Sequence, residues 1–261
     1  MPEIDVLAQG FGVSSSEARL SLCAVTLVRG EKTTLVDVGY QSRRVLVVER
    51  LAERGLTLAD IDRVVLTHGH WDHTLNALMF PNAEIIMSAD EYDYVHHIDP
   101  MDPATPLYTP DILARAKQVT TVRDGEELEP GVRVMMVPGH SPGSMAVLVD
   151  TPDGIAGMVG DALPSLNAAA APVPSAGLVF YNQEAAEASA RRIIDTCQLV
   201  YPGHDRPFRQ QSGGFHYIQP QTITFGNLPR DEHGNIAVTL DETPAVFKST
   251  IQPLALKRTD R

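Results

Sequence analysis

Apolar positions in this chain switch between short continuous runs and helical spacing. Residues 20–28 and 33–37 are apolar runs separated by Arg29-Gly30-Glu31, which predicts two strands joined as a hairpin. Residues 42–54 place Val45, Val48 and Leu51 three apart, a helix that Gly55 stops. Residues 61–66 predict a short buried strand running into Thr67. Residues 73–80 predict a short helix ended by Pro81, 84–87 a strand, and 88–95 a helix with Ser88 at its N-cap. Residues 101–110, rich in Pro, Asp and Thr, predict a loop. Strands follow at 132–137, 145–149 and 157–159, then an amphipathic helix at 184–196 and a strand at 199–201. The rhythm is lost near 212, which suggests a catalytic domain over 1–211 and a C-terminal extension or cap over 212–261 packed on it. Strands dominate, and several turns join neighbouring strands directly. That mixture favours an α+β fold of two packed sheets with helices outside, over one doubly wound parallel sheet.

Composition changes this picture little. A chain of 261 residues with 43% hydrophobic and 21% charged side chains can bury a sizeable core. No apolar run approaches the roughly 20 residues that span a bilayer. The opening Met1-Pro2-Glu3-Ile4-Asp5 lacks the basic and apolar blocks of a secretory signal, so the expected compartment is the cytoplasm, without a membrane partner. The two cysteines, Cys23 and Cys197, are too few for a disulfide scaffold and read as buried small apolar residues. A net charge of −12 disfavours nucleic acid, because a polyanion binder needs concentrated positive charge. The pairs Arg43-Arg44 and Arg191-Arg192 read as solvated helix faces.

The candidate chemistry is concentrated. Of nine histidines, five fall in loops directly after strand-like runs. The densest cluster is His68-Gly69-His70-Trp71-Asp72-His73. Imidazole and carboxylate are zinc's usual nitrogen and oxygen donors, and these four exceed what one catalytic ion with an open position needs. The surplus suggests two ions. Three further clusters follow strand-like runs: Pro138-Gly139-His140-Ser141-Pro142-Gly143-Ser144, Gly160-Asp161, and Tyr201-Pro202-Gly203-His204-Asp205. Alone, a His or Asp in a turn is more often a surface residue or turn former. Together, in this order, they are not readily coincidental.

The set resembles the metallo-β-lactamase superfamily: T-H-G-H-W-D-H at 67–73, P-G-H-S-P-G-S at 138–144, G-D at 160–161 and P-G-H at 202–204. The similarity covers roughly residues 20–210. It implies an αββα sandwich of two mixed β-sheets flanked by helices, with two metals at one edge. His68, His70 and His140 would hold the first ion, and Asp72, His73 and His204 the second. Asp161 would bridge both. Asp37 matches the family's buried aspartate and would orient the first cluster from behind. Two Zn²⁺ suit the donor set best, with Mn, Fe or Co as alternatives. The implied reaction is hydrolysis by a hydroxide shared between the ions, with Asp72 also relaying a proton. No G-x-S-x-G motif offers a serine nucleophile.

Residues 85–92 and 138–144 are similar to the acyl-homoserine-lactone lactonase branch, which favours a small-molecule ester, lactone or related acyl substrate. Thr74-Leu75-Asn76 stands where that branch has glycines, and no tyrosine follows Ala162 closely. A phosphodiesterase or ribonuclease of the same superfamily is the main alternative, and a metal-free binding module a distant one. Trp71, His96, Leu163 and Leu166 are the expected pocket residues, with an uncharged or hydrophobic acyl group as the expected occupant. His216-Tyr217 and His233 are candidates for a cleft cap or a homodimer contact.

Overall fold

Strands Glu3–Ala8, Val25–Arg29, Thr33–Val36, Arg63–Val65, Glu84–Ser88 and Val119–Val122 pair in that spatial order into a six-stranded sheet. The first three are antiparallel neighbours and the last four run parallel. A seven-stranded sheet takes Glu127–Glu129, Val132–Met136, Met145–Thr151, Gly154–Gly160, Leu199–Pro202, Phe208–Gln211 and Gly214–Tyr217 in order. Its pairings are antiparallel except that of Gly154–Gly160 with Leu199–Pro202. A separate hairpin joins Phe11–Ser14 to Arg19–Leu22. This computed structural model describes residues 1–14, 19–99, 102–211, 213–224 and 232–234.

The period-two alternation of strand side chains builds the layers. Leu27, Leu35, Val64, Ile85 and Met87 pack on Val47 and Leu51 of helix Arg44–Ala52. Their chain neighbours Val28, Val36, Val65 and Ile86 face the other way, against Val134, Val147, Val149 and Met158 of the second sheet. Met135, Ala146, Leu148 and Val159 then meet Ala190 and Ile193 of helix Gln183–Thr196. The result is helix, sheet, sheet, helix, the sandwich that the sequence resemblance implied. Strands buried on both faces carry no polar alternation, so they read as continuous apolar runs.

Several expectations need correction. The run at 20–28 is two strands, Arg19–Leu22 and Val25–Arg29, which belong to different sheets. The break falls where Cys23 Sγ donates to Asp72 O (2.8 Å) and Ala24 N donates to Gly203 O (2.7 Å). The helix expected at 73–80 is two short pieces, Trp71–Thr74 and Ala77–Met79. Asn76 divides them by donating its side-chain amide to Val38 O and Tyr40 O. The loop expected at 101–110 gives way to helix Thr109–Arg115, whose first turn accommodates Pro110; Met101 lies outside the described residues. Arg43 is buried rather than solvated, with its guanidinium donating to Gln9 O (2.7 Å).

The chain divides into two compact units, Met1–Gln219 and Pro220–Arg261. The boundary expected at 211/212 falls within the hairpin of Phe208–Gln211 and Gly214–Tyr217. Most of the expected cap lies outside the described residues. Both cysteines are free and buried.

Parallel pairing decides where the polar residues meet. Thr33–Val36, Arg63–Val65 and Glu84–Ser88 run the same way, so their C-terminal ends bring Asp37, the His68–His73 segment and Glu91 to one edge. Gly154–Gly160 and Leu199–Pro202 are also parallel, and their ends present Asp161 and His204 together.

Candidate metal centre

Two groups of side chains converge at this edge. His68, His70, His140 and Asp161 form one, and Asp72, His73 and His204 the other; within each, the donor atoms lie within 4.8 Å of one another. Asp161 reaches into both. Its Oδ2 lies 3.0 Å from His204 Nε2 and 3.5 Å from His140 Nε2, and its Oδ1 lies 3.3 Å from His73 Nε2. Asp72 Oδ2 lies 3.5 Å from His204 Nε2.

Hydrogen bonds behind the rings decide which nitrogens face inward. Thr67 Oγ1 donates to Asp37 Oδ2 (2.8 Å), so it accepts from His68 Nδ1 (3.0 Å). His73 Nδ1 donates to Asp37 Oδ2 (2.7 Å), His140 Nδ1 to Leu178 O (2.7 Å), and His204 Nδ1 pairs with Ser21 Oγ (3.1 Å). Each arrangement turns Nε2 toward the site, that of His204 lying 3.0 Å from Asp161 Oδ2. Asp37 adopts a positive φ of 55°, uncommon for a non-glycine residue. There it also accepts from Thr67 N (2.9 Å).

The site is built for ions rather than for itself. His68 Nε2, His73 Nε2, Asp72 Oδ2 and Asp161 Oδ1 are buried and have no hydrogen-bond partner among the described residues. Orphaned buried polar atoms are costly and rare, and divalent cations held by the two groups would satisfy all four. Five imidazoles and two carboxylates match zinc's donor preferences.

Electrostatics prepare the candidate ligands unequally. Burial, reinforced by neighbouring imidazoles, holds His68 well below the ordinary histidine range and His140 at about 3, so both are neutral at pH 7. Burial alone would raise the Asp161 carboxyl, but His204 and His73 outweigh it and keep the group well below the usual range. Burial opposes charge at His73 and His204 too, yet Asp37 beside the first and Asp161 beside the second raise both.

The two main loops of candidate ligands are tied to one buried carboxylate. Glu91 Oε1 accepts from Gly69 N (2.7 Å), and its Oε2 accepts from Gly143 N (2.8 Å) and Ser141 Oγ (2.7 Å). Ser88, the N-cap of helix Ala89–His96, donates to Gly143 O (2.6 Å) and accepts from Glu91 N (3.0 Å). A Cβ at position 143 would lie 2.0 Å from Glu91 N, so only glycine permits this approach. Sequence reasoning read Ser88 as a helix cap and passed over Glu91.

The expected pocket residues separate in space. Trp71 is half-buried and packs edge-on against Tyr40, ring centroids 4.7 Å apart. His96 is exposed, and its Nδ1 bonds to Tyr92 O (2.7 Å) at the end of its own helix. Leu163 is fully buried in the outer core beneath helix Gln183–Thr196, and Leu166 packs against the same cluster. The wall that does touch the ligands is Phe180, unsuspected from sequence. Its ring lies 5.1 Å from that of His70 and 5.4 Å from that of His140. His216 and Tyr217 lie on the edge strand, where Tyr217 Oη donates to Asp205 Oδ2 (2.8 Å). His233 belongs to the second unit.

Comparison with known proteins agrees with this geometry. The profile of the metallo-beta-lactamase superfamily matches residues 18–204. Metallo-beta-lactamase domain-containing protein 1 of Xenopus laevis is 30% identical over 190 residues, 71% of this chain and 72% of that protein. An N-acyl homoserine lactonase of Bacillus cereus is 25% identical over 180 residues, 67% of each chain. A solved N-acyl homoserine lactone hydrolase, with N-hexanoyl-L-homoserine at its catalytic metal centre, superposes with a TM-score of 0.60 at 20% identity, covering 78% of this chain and 92% of that one. With its sandwich fold and its converging histidines and aspartates, the chain belongs to the metallo-beta-lactamase superfamily of hydrolases.

Proposed function

We propose that this protein hydrolyses a carboxylic ester, lactone or related acyl bond with two divalent ions, zinc by donor type. His68, His70 and His140 would hold one ion, Asp72, His73 and His204 the other, and Asp161 both. The observation that carries this reading is Asp161, whose two oxygens face imidazoles of both groups. When bound, such ions acidify a shared water and polarise an acyl oxygen.

The chain's own residues supply the rest. Asp161 is ionised, and His68 and His140 are neutral, the states that ligands require. Asp72 keeps Oδ2 without a hydrogen bond among the described residues, 3.5 Å from His204 Nε2 in the second group. With one oxygen given to an ion, the other oxygen of Asp72 would accept a proton and return it to a leaving alkoxide. Phe180 offers an apolar wall beside His70 and His140, suited to an uncharged acyl chain. The net charge of −12 disfavours polyanionic substrates. The similarity to N-acyl homoserine lactonases points to the same class of small acyl compound.

Phe180→Ala is expected to raise KM for a long-chain ester or lactone about tenfold, roughly 1.4 kcal/mol of binding, while kcat changes less than about threefold. Steady-state kinetics on a chain-length series checks this. A drop in kcat with unchanged KM would place the ring elsewhere in the cycle.

The class of substrate is tested on zinc-loaded enzyme with lactones, aryl esters, thioesters, β-lactams and phosphodiesters, with His68→Ala as control. The expected result is fastest turnover of a lactone or ester, lost in the control. A phosphodiester as best substrate, with affinity collapsing as salt rises, would replace this reading with the nuclease one.

A further inference from the structure

Four of the five candidate imidazole ligands are held from behind by a hydrogen bond to the nitrogen that faces away from the site: His68 by Thr67, His73 by Asp37, His140 by Leu178 O and His204 by Ser21. His70 is the exception. Its Nδ1 faces inward, 3.0 Å from His140 Nε2, so its outward nitrogen is Nε2. That nitrogen is buried and has no hydrogen-bond partner among the described residues. What faces it is the carboxylate of Asp102, with Oδ2 3.7 Å away.

We infer that Asp102 is the positioning residue for His70, completing the set of outer partners, and that Tyr94 and Thr105 hold it in place. The inference rests on the two-metal reading above.

The carboxylate is fixed on every other side. Tyr94 Oη donates to Oδ2 (2.8 Å), as does Thr105 Oγ1 (2.6 Å), while Oδ1 accepts from Ala104 N (2.8 Å) and Thr105 N (3.2 Å). Its side chain is 2% exposed, as buried as that of His70 at 3%. A buried carboxylate gripped by four donors is costly to assemble unless it serves a further group, and that group is the imidazole in front of it. Closing the gap needs a shift of roughly 1 Å to reach ordinary hydrogen-bond distance. The bond then places the proton on His70 Nε2, leaves the Nδ1 lone pair for the ion, and fixes the plane of the ring. The segment is tied to the ligand loop a second time, because Trp71 N donates to Ala104 O (3.0 Å).

The test is zinc binding by the full chain in competition with a chromophoric chelator, comparing wild type, Asp102→Ala, Asp102→Asn and Tyr94→Phe. Long-range ¹H–¹⁵N spectra of the metal-free proteins report the His70 tautomer alongside. Asp102→Ala is expected to weaken the first-site affinity by about 10–100-fold, with the second site changed less, and to mix the His70 tautomers. Asp102→Asn keeps a carbonyl oxygen toward Nε2 and is expected to recover part of the loss; Tyr94→Phe loses about threefold. A role confined to bracing residues 102–105 predicts something different: a lower melting temperature with wild-type zinc affinity and tautomer, and that result overturns the inference. Should Asp102→Ala not fold, wild-type affinity and tautomer in both other variants overturn it equally. Wild type that binds no zinc would defeat the two-metal reading itself, a distinct failure.

Discussion

Asp161→Ala is expected to lower kcat/KM on the best acyl substrate by on the order of 10³-fold, about 4 kcal/mol of transition-state stabilisation, and to cut bound zinc from two ions to one or none. The size follows from position. Asp161 is the residue whose oxygens face imidazoles of both groups, so its loss removes a donor from each. It also removes the negative charge that keeps His204 above the ordinary histidine range. Asp161→Asn separates the two contributions. It keeps the shape and one oxygen, so it is expected to retain one ion and to lose most of the activity. Elemental analysis of the purified variants, paired with kinetics, checks both statements. An alanine variant that holds two zinc ions and turns over normally would remove Asp161 from the site.

Glu91→Ala is expected to cost about 3 kcal/mol of stability and to weaken zinc binding at both sites, although both Glu91 oxygens are already taken by donors of the loops. Its carboxylate is the shared acceptor of Gly69 N, Gly143 N and Ser141 Oγ. Alanine strands these donors in a buried space, and each unsatisfied donor costs about 1–3 kcal/mol before relaxation and water entry recover part of it. For a chain of this size that loss lowers Tm by roughly 10 °C. Burial raises the Glu91 carboxyl above its ordinary value, opposed by the hydrogen bonds from Ser141 and Gly69. Glu91→Gln preserves the volume but sets an amide NH₂ against a donor, so about half the loss is expected. Thermal melts of metal-free protein read the stability, and chelator competition reads the affinity. Destabilisation with untouched zinc affinity would show that the helix clamps the loops without shaping the site.

Much of the site was legible because its residues are local in sequence. His68, His70, Asp72 and His73 fall within six residues, and the Pro- and Gly-rich flanks of His140 and His204 announce turns after strands. Strand runs such as 61–66 and 132–137 carried the sheets for the same reason. What stayed hidden depends on contacts between distant segments. Glu91 meets Gly69 and Gly143 from 22 and 52 residues away. Asp102 sat in a segment whose Pro, Asp and Thr content read as a loop, with nothing to single out one carboxylate. Phe180 lies in a stretch with no periodicity, and hydrogen bonds from His140 Nδ1 to Leu178 O, from Phe180 N to His140 O and from Asn182 N to Gly139 O bring that stretch to the site.

The errors have physical causes as well. Leu163 follows Asp161 closely, but its side chain turns into the outer core. Arg43 sits at the start of a surface helix, where charge is usually solvated, yet Gln9 O and the Phe11 ring 5.5 Å away receive it. Gly214–Tyr217 is an edge strand with little buried surface, so it lacks the apolar pattern that marks the inner strands.

The central claim is that two ions act together in one hydrolytic site. Its most direct test is to strip the protein of metal and follow ester or lactone hydrolysis as zinc is added back in tight-binding conditions. Turnover is expected to be negligible without metal, to rise until it saturates at two equivalents per chain, and not to rise in His68→Ala. Full activity at one equivalent, or activity that persists without metal, would contradict it.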